Sequence, residues 1–192
     1  MEGFIASISS RLVREKVMSA DDVDIFAYGL DLLLFTGLTN AAFLAFGVIV
    51  GRLSQTLIYI FTFSVLQALG GGFHASTHLR CFLVTTACWV TAMLLACYFP
   101  VVAHVFLLII GVCAVFLFAP IENQNAPMSD KKKRKMRRYS RFACLGLAAI
   151  SISGFFGVTY VFFSIADGIF LSSVLKIVAQ IQNHRHKRKE RH

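Results

Sequence analysis

Between residues 30 and 181 the chain is a succession of apolar segments interrupted at only a few points, and nothing else in the sequence restricts its fold as strongly. An α-helix rises about 1.5 Å per residue, so crossing a bilayer takes roughly 20 mostly apolar residues. Six segments approach that length: 30–50, 54–69, 82–99, 101–119, 142–165 and 168–181. The breaks between them fall at Gly51-Arg52, Gly70 to Arg80, Pro100, a cation-rich stretch from Lys131 to Arg141, and Asp167. The sequence therefore predicts an all-α, polytopic membrane protein forming a single membrane-embedded domain over 1–192. The second and sixth segments are short, so four spans plus re-entrant segments is the alternative to six.

Charge supports the membrane reading and gives an orientation. Only 15% of residues are charged against 57% hydrophobic, whereas a soluble domain carries about a quarter charged residues. A disordered chain is excluded as well, because 19 phenylalanines would not stay in water. The net charge of +9 is concentrated: of 19 basic residues, eight lie in Lys131–Arg141 and five between Arg185 and Arg191. With six spans and a cytoplasmic N-terminus, 18 of the 19 fall inside and only Arg52 outside, as the positive-inside bias requires. This predicts N-in and C-in topology, with residues 70–81, a basic loop over 120–141 and a basic tail over 182–192 all cytoplasmic. Lys131-Lys132-Lys133-Arg134-Lys135 also matches a nucleic-acid-binding run. Beside apolar spans it reads instead as a juxtamembrane anchor for anionic lipid, worth about 1 kcal/mol per cation, and no nucleic-acid partner is expected.

Residues 1–28 carry no signal-peptide pattern. Phe4, Ile5, Ile8 and Leu12 share one helical stripe, with Arg11, Arg14, Glu15 and Lys16 around the rest. That pattern predicts an interfacial cytoplasmic helix. Ser19 followed by Asp22 resembles a capping box and predicts a second helix leading into the first span. Asp31 and Lys176 lie close to span ends, where snorkelling to the interface is the expected behaviour.

Five cysteines occur with no C-x-x-C pair, so disulfides are not expected. Cys88, Cys97, Cys113 and Cys144 sit inside apolar segments and read as small apolar residues. Cys81 follows Arg80 at a span edge, close to His74 and His78. A cationic, partly exposed site of this kind is where cysteine nucleophiles occur. Three consecutive glycines, Gly70 to Gly72, precede His74 and break a helix at the membrane surface. On one straight helix His74 and Cys81 would be about 10 Å apart along the axis, beyond the roughly 3 Å reach of a base and its nucleophile. Joint action requires the chain to fold back between them. Two other readings stay open: His78 as the base, and His74, His78 and Cys81 as metal ligands on one helical face.

Gly71-Gly72-Phe73-His74-Ala75-Ser76 with Cys81 seven residues after the histidine resembles the Gly-Gly-x-His-Ala signature of the accessory gene regulator B family, bacterial membrane cysteine endopeptidases. The acidic helix ending in Tyr28-Gly29-Leu30, the glycine-rich segment after the second span and the basic stretch before the last two spans are similar to that family's layout. One departure is Gln67-Ala68-Leu69 where many members carry arginine before the glycines.

The resemblance implies a quorum-sensing role in a bacterial plasma membrane, with the site facing the cytoplasm and no cofactor or metal. The expected substrate is a signal precursor peptide, cut on the C-terminal side of the signal and closed to a thiolactone or lactone, as in the maturation of autoinducing peptides that control virulence. Cys81 is then the nucleophile and His74 the base, with Gly70, Gly71, Gly72 and Gln67 lining the substrate, and a homodimer is the implied assembly. A small peptide exporter and a noncatalytic scaffold with a His/Cys metal site are the alternatives.

Overall fold

The computed structural model describes residues 2–15, 17–19, 22–71, 77–121 and 129–189, apart from the side chains of Glu2, Phe4, Ile25, Tyr28 and residues 185–189. All regular structure among the described residues is helical: α1 (Glu2–Arg14), α2 (Val23–Ile49), α3 (Leu53–Gly70), α4 (His78–Tyr98), α5 (Val101–Phe118), α6 (Asp130–Phe156) and α7 (Thr159–Lys189). Helices α2 to α7 each contain a stretch long and apolar enough to cross a bilayer, so six spans are present and the shorter count is not needed. The chain divides into two compact units, residues 1–45 and 46–192.

In the first unit, α1 keeps the two-sided character expected of it. Ile5 is buried, Ile8 and Leu12 are half-buried, and Arg11, Arg14 and Glu15 are exposed. The Arg11 guanidinium is paired with the Glu15 carboxylate one turn on, at 2.9 Å. Ser19 donates its hydroxyl hydrogen to the Asp22 carboxylate (2.9 Å) immediately before α2 begins, so this pair contacts side chain to side chain instead of closing a capping box. Residues 23–28 belong to α2 and are continuous with the first span.

In the second unit α7 is the axis of the bundle. Two-thirds of its spanning stretch is buried, against a third or less for every other span, and it packs against α3, α4, α5 and α6. Phe162, Ile165, Ala166 and Ile169 of α7 meet Leu66 of α3, Leu108 and Val115 of α5, and Cys144 and Leu147 of α6. Small residues let the backbones approach, as they do between helices in lipid. A Cβ at Gly111 would lie 2.9 Å from the Phe170 backbone, and one at Gly168 would lie 2.9 Å from Thr62. Outward-facing side chains such as Phe61, Ile109, Ile110, Leu117 and Phe142 are exposed and apolar, suited to lipid.

Three boundaries differ from the sequence reading. The break before the last span lies at Gly157-Val158, where both amides bond to the Gly154 carbonyl (3.2 and 2.8 Å). Asp167 is instead buried in mid-α7, and the last span is long. Lys131 to Arg141 are helical: Ser129 caps α6 by accepting from the Lys132 amide (3.4 Å), so the expected basic loop is the opening of α6. Residues 182–189 of the tail likewise continue α7.

Turns alternate between the two ends of this unit. At one end Gly51, with φ +67°, closes α2 by sending its amide to Val48 O (3.1 Å) and the Arg52 amide to Gly47 O (2.7 Å), the paired bonds of a glycine C-cap. The Phe99-Pro100 and Gly157-Val158 turns share that end by helix alternation. The opposite end gathers the close of α3, the start of α4, the close of α5, the basic opening of α6 and the late turns of α7.

Candidate functional site

The glycine segment leaves α3 at this second end. Gly70 is the buried last residue of α3, and its carbonyl accepts a hydrogen bond from the Ile121 amide just beyond α5, at 2.9 Å. Gly71 follows with φ +64° and ψ 169°, a conformation essentially reserved for glycine. A Cβ at Gly71 would also run into the Ile121 carbonyl oxygen. Two of the expected substrate-lining residues, Gly70 and Gly71, are thus fixed against the α5–α6 connection. Gly72 and the expected base His74, with Phe73, Ala75 and Ser76, lie outside the described residues.

The chain is described again from Thr77, the extended N-cap of α4, whose hydroxyl accepts from the Arg80 amide at 3.3 Å. Cys81 therefore sits in the first helical turn, not in a loop. Its amide donates to Thr77 O (3.1 Å) and its carbonyl accepts from the Thr85 hydroxyl (2.8 Å). Its side chain is half-buried, while His78, one turn earlier, is exposed. All five cysteines are free thiols. Cys88 and Cys144 are buried in the bundle, and Cys97 and Cys113 are on outward faces of α4 and α5, consistent with the apolar role read for these four. Among the described residues no three His, Cys, Asp or Glu side chains cluster as a metal site would require.

Behind the glycines lies a polar contact that sequence reasoning misplaced. Lys176 does not snorkel: it is fully buried on α7 and donates to the Gln67 side-chain oxygen of α3 (3.1 Å) and to the Ser172 hydroxyl (2.7 Å). A Cβ at Gly70 would sit 2.5 Å from Lys176 Cε and 3.0 Å from the Ser140 hydroxyl of α6. Gln67, expected to meet substrate, is half-buried and its side-chain oxygen accepts a hydrogen bond from this lysine.

A second buried pair was not anticipated at all. His104 Nδ1 of α5 and Asp167 Oδ1 of α7 are 2.8 Å apart, both closed to the surface, and the His104 ring stacks on Phe163 with centroids 4.1 Å apart. The signal was present in the sequence, since an ionisable residue inside an apolar span is costly and needs a partner.

The sequence profile of the accessory gene regulator B family matches residues 5–181. An AgrB-like protein 2 of Clostridium perfringens strain 13 is 27% identical over 146 residues, covering 68% of each chain. An AgrB-like protein of C. perfringens strain SM101 gives the same identity and coverage. One from Listeria welshimeri is 28% identical over 130 residues, covering 65% of this chain and 63% of its own. No solved structure matches.

Proposed function

The chain belongs to the accessory gene regulator B family, whose place is in quorum-sensing peptide processing, and from that premise we propose that it is a membrane cysteine endopeptidase maturing a signal precursor with His74 and Cys81. The observation that carries the reading is the Gly71-Gly72-Phe73-His74 run followed by Cys81 within the family match. Cys81 is half-buried in the first turn of α4, whereas Cys88 and Cys144 are buried and Cys97 and Cys113 are exposed on outward faces.

The chemistry is that of a dyad. His74 takes the thiol proton of Cys81, and the thiolate attacks the carbonyl carbon at the C-terminal edge of the signal. The C–N bond breaks as protonated His74 delivers its proton to the departing amine, leaving a thioester on Cys81. An internal thiol or hydroxyl of the precursor, deprotonated by His74, attacks that thioester. The ring closes as thiolactone or lactone, and Cys81 sulfur leaves and recovers the proton. The boundary of the apolar bundle restricts water, which favours cyclisation over hydrolysis of the reactive thioester. Gly70 to Gly72 and Gln67 border the peptide, the basic turn of α6 attracts acidic peptide and anionic lipid, and two copies form the working dimer.

The positive-inside bias puts this end of the bundle in the cytoplasm, where a newly made precursor is first met. The test is cleavage of a candidate signal precursor, a short peptide with an internal Cys or Ser, by the full-length protein in liposomes. His74→Ala and Cys81→Ala each abolish cleavage and cyclisation, and full activity in either variant rejects the dyad.

A further inference from the structure

Lys176 is closed to the surface and, among the described residues, no carboxylate is a hydrogen-bond partner of it, yet an ammonium within a membrane bundle is expensive and is retained where it does something specific. Its two bonds run to Gln67 of α3 and Ser172 of its own helix. Its stem passes against Gly70, where any side chain would collide with Cε, and Ser140 of α6 closes the other side. Gly70 is therefore glycine so that α3 can finish directly over this lysine. One residue on, the Ile121 amide holds the Gly70 carbonyl and the Ile121 carbonyl oxygen abuts Gly71. Both the run-up to the glycine turn and the turn itself are thus pinned from α7 and from the α5–α6 connection.

We propose that Lys176 is a positioning residue for the His74–Cys81 reaction: through its bond to Gln67 and its packing under Gly70 it fixes where the chain leaves α3, and so the approach of His74 to Cys81. The proposal rests on the dyad reading given above. Its physical logic is that base and nucleophile belong to segments joined through Gly71 and Thr77. An error of about 1 Å in their approach costs up to about a hundredfold in rate.

The experiment uses full-length protein in liposomes, N-ethylmaleimide as probe, and mass spectrometry to follow alkylation of Cys81 alone. The thiolate is the reacting species, so the rate reads base assistance without any need for the precursor. His74→Ala slows Cys81 alkylation, and Lys176→Met slows it by about tenfold, a fraction of the two to four orders that a positioned base supplies. The exchange Gln67→Lys with Lys176→Gln, which moves the cation to α3 and the acceptor to α7, restores the rate to within about threefold of the native protein, about 0.7 kcal/mol. Where Lys176→Met does not fold, Gln67→Leu removes the same interhelical bond, leaves Lys176 its bond to Ser172, and slows alkylation in the same sense. An unchanged rate in Lys176→Met, or in Gln67→Leu, while His74→Ala is slow overturns the positioning role alone. A folded exchange variant that stays slow overturns it too, since only packing would then be at work. An unchanged rate in His74→Ala overturns the dyad on which the proposal stands.

Discussion

His104 on α5 and Asp167 on α7 meet through a single 2.8 Å contact inside the bundle, with Asp167 Oδ2 and His104 Nε2 left without hydrogen-bond partners among the described residues. The pair therefore stabilises the α5–α7 packing while carrying unsatisfied polar atoms of its own. Asp167→Ala strands the imidazole and lowers unfolding stability by about 1–3 kcal/mol. Asp167→Leu combined with His104→Phe removes both polar groups and recovers most of that loss. Thermal unfolding followed by size-exclusion fluorescence checks both outcomes. Equal loss in the single and the double variant would show that the stability is lost with the pair itself and not through the stranded imidazole.

Glycine substitutions separate two kinds of requirement. Gly71→Ala meets both a positive φ and the Ile121 carbonyl oxygen, so it costs about 1–3 kcal/mol in backbone strain alone and displaces the glycine turn. Gly146→Ala, past the middle of α6 with nothing within 4 Å of its Cβ position, is neutral or stabilising by the helix preference of alanine, up to about 1 kcal/mol. Precursor cleavage falls at least about tenfold in Gly71→Ala and stays within twofold in Gly146→Ala, measured at equal amounts of folded protein.

Reagent access distinguishes Cys81 from the other thiols. Cys88 and Cys144 are packed into the bundle, Cys113 faces outward within α5, and Cys97 is exposed one residue before the end of α4, at the end of the bundle opposite Cys81. A water-soluble maleimide therefore labels Cys81 before Cys88, Cys113 and Cys144. Cys88 and Cys144 react only on unfolding. Peptide mapping after timed labelling in detergent reads the order, and faster labelling of Cys88 than Cys81 would contradict the packing of α4.

The spans were legible because they depend on local properties. Apolar length marks a helix in lipid, and Cys81 stands out from Cys88 or Cys113 by its immediate neighbours Arg80 and His78. Asp167 was misread as a break because charge ordinarily marks water, and what makes it a core residue is His104, 63 positions earlier. Lys176 was misread for the same reason, its acceptor Gln67 being 109 positions away. The onset of α6 was placed late because a dense run of cations looks like a loop. Ser129 at the N-cap and Asp130 in the first turn were the local signs that the helix begins before the membrane does.

Topology provides the last prediction. The basic opening of α6 and the Gly157-Val158 turn lie at opposite ends of one continuous helix, α6, whose 27 residues span about 40 Å. If the positive-inside bias governs this chain, Lys132 and the glycine turn after α3 face the cytoplasm and Val158 faces outward. Both Lys132 and Val158 are exposed, so a cysteine at either position is open to reagent. In intact cells a membrane-impermeant maleimide labels Val158→Cys and spares Lys132→Cys until the membrane is permeabilised. The reverse pattern would put the glycine turn and Cys81 outside, where a newly synthesised precursor could reach them only after export, and maturation would then have to follow translocation.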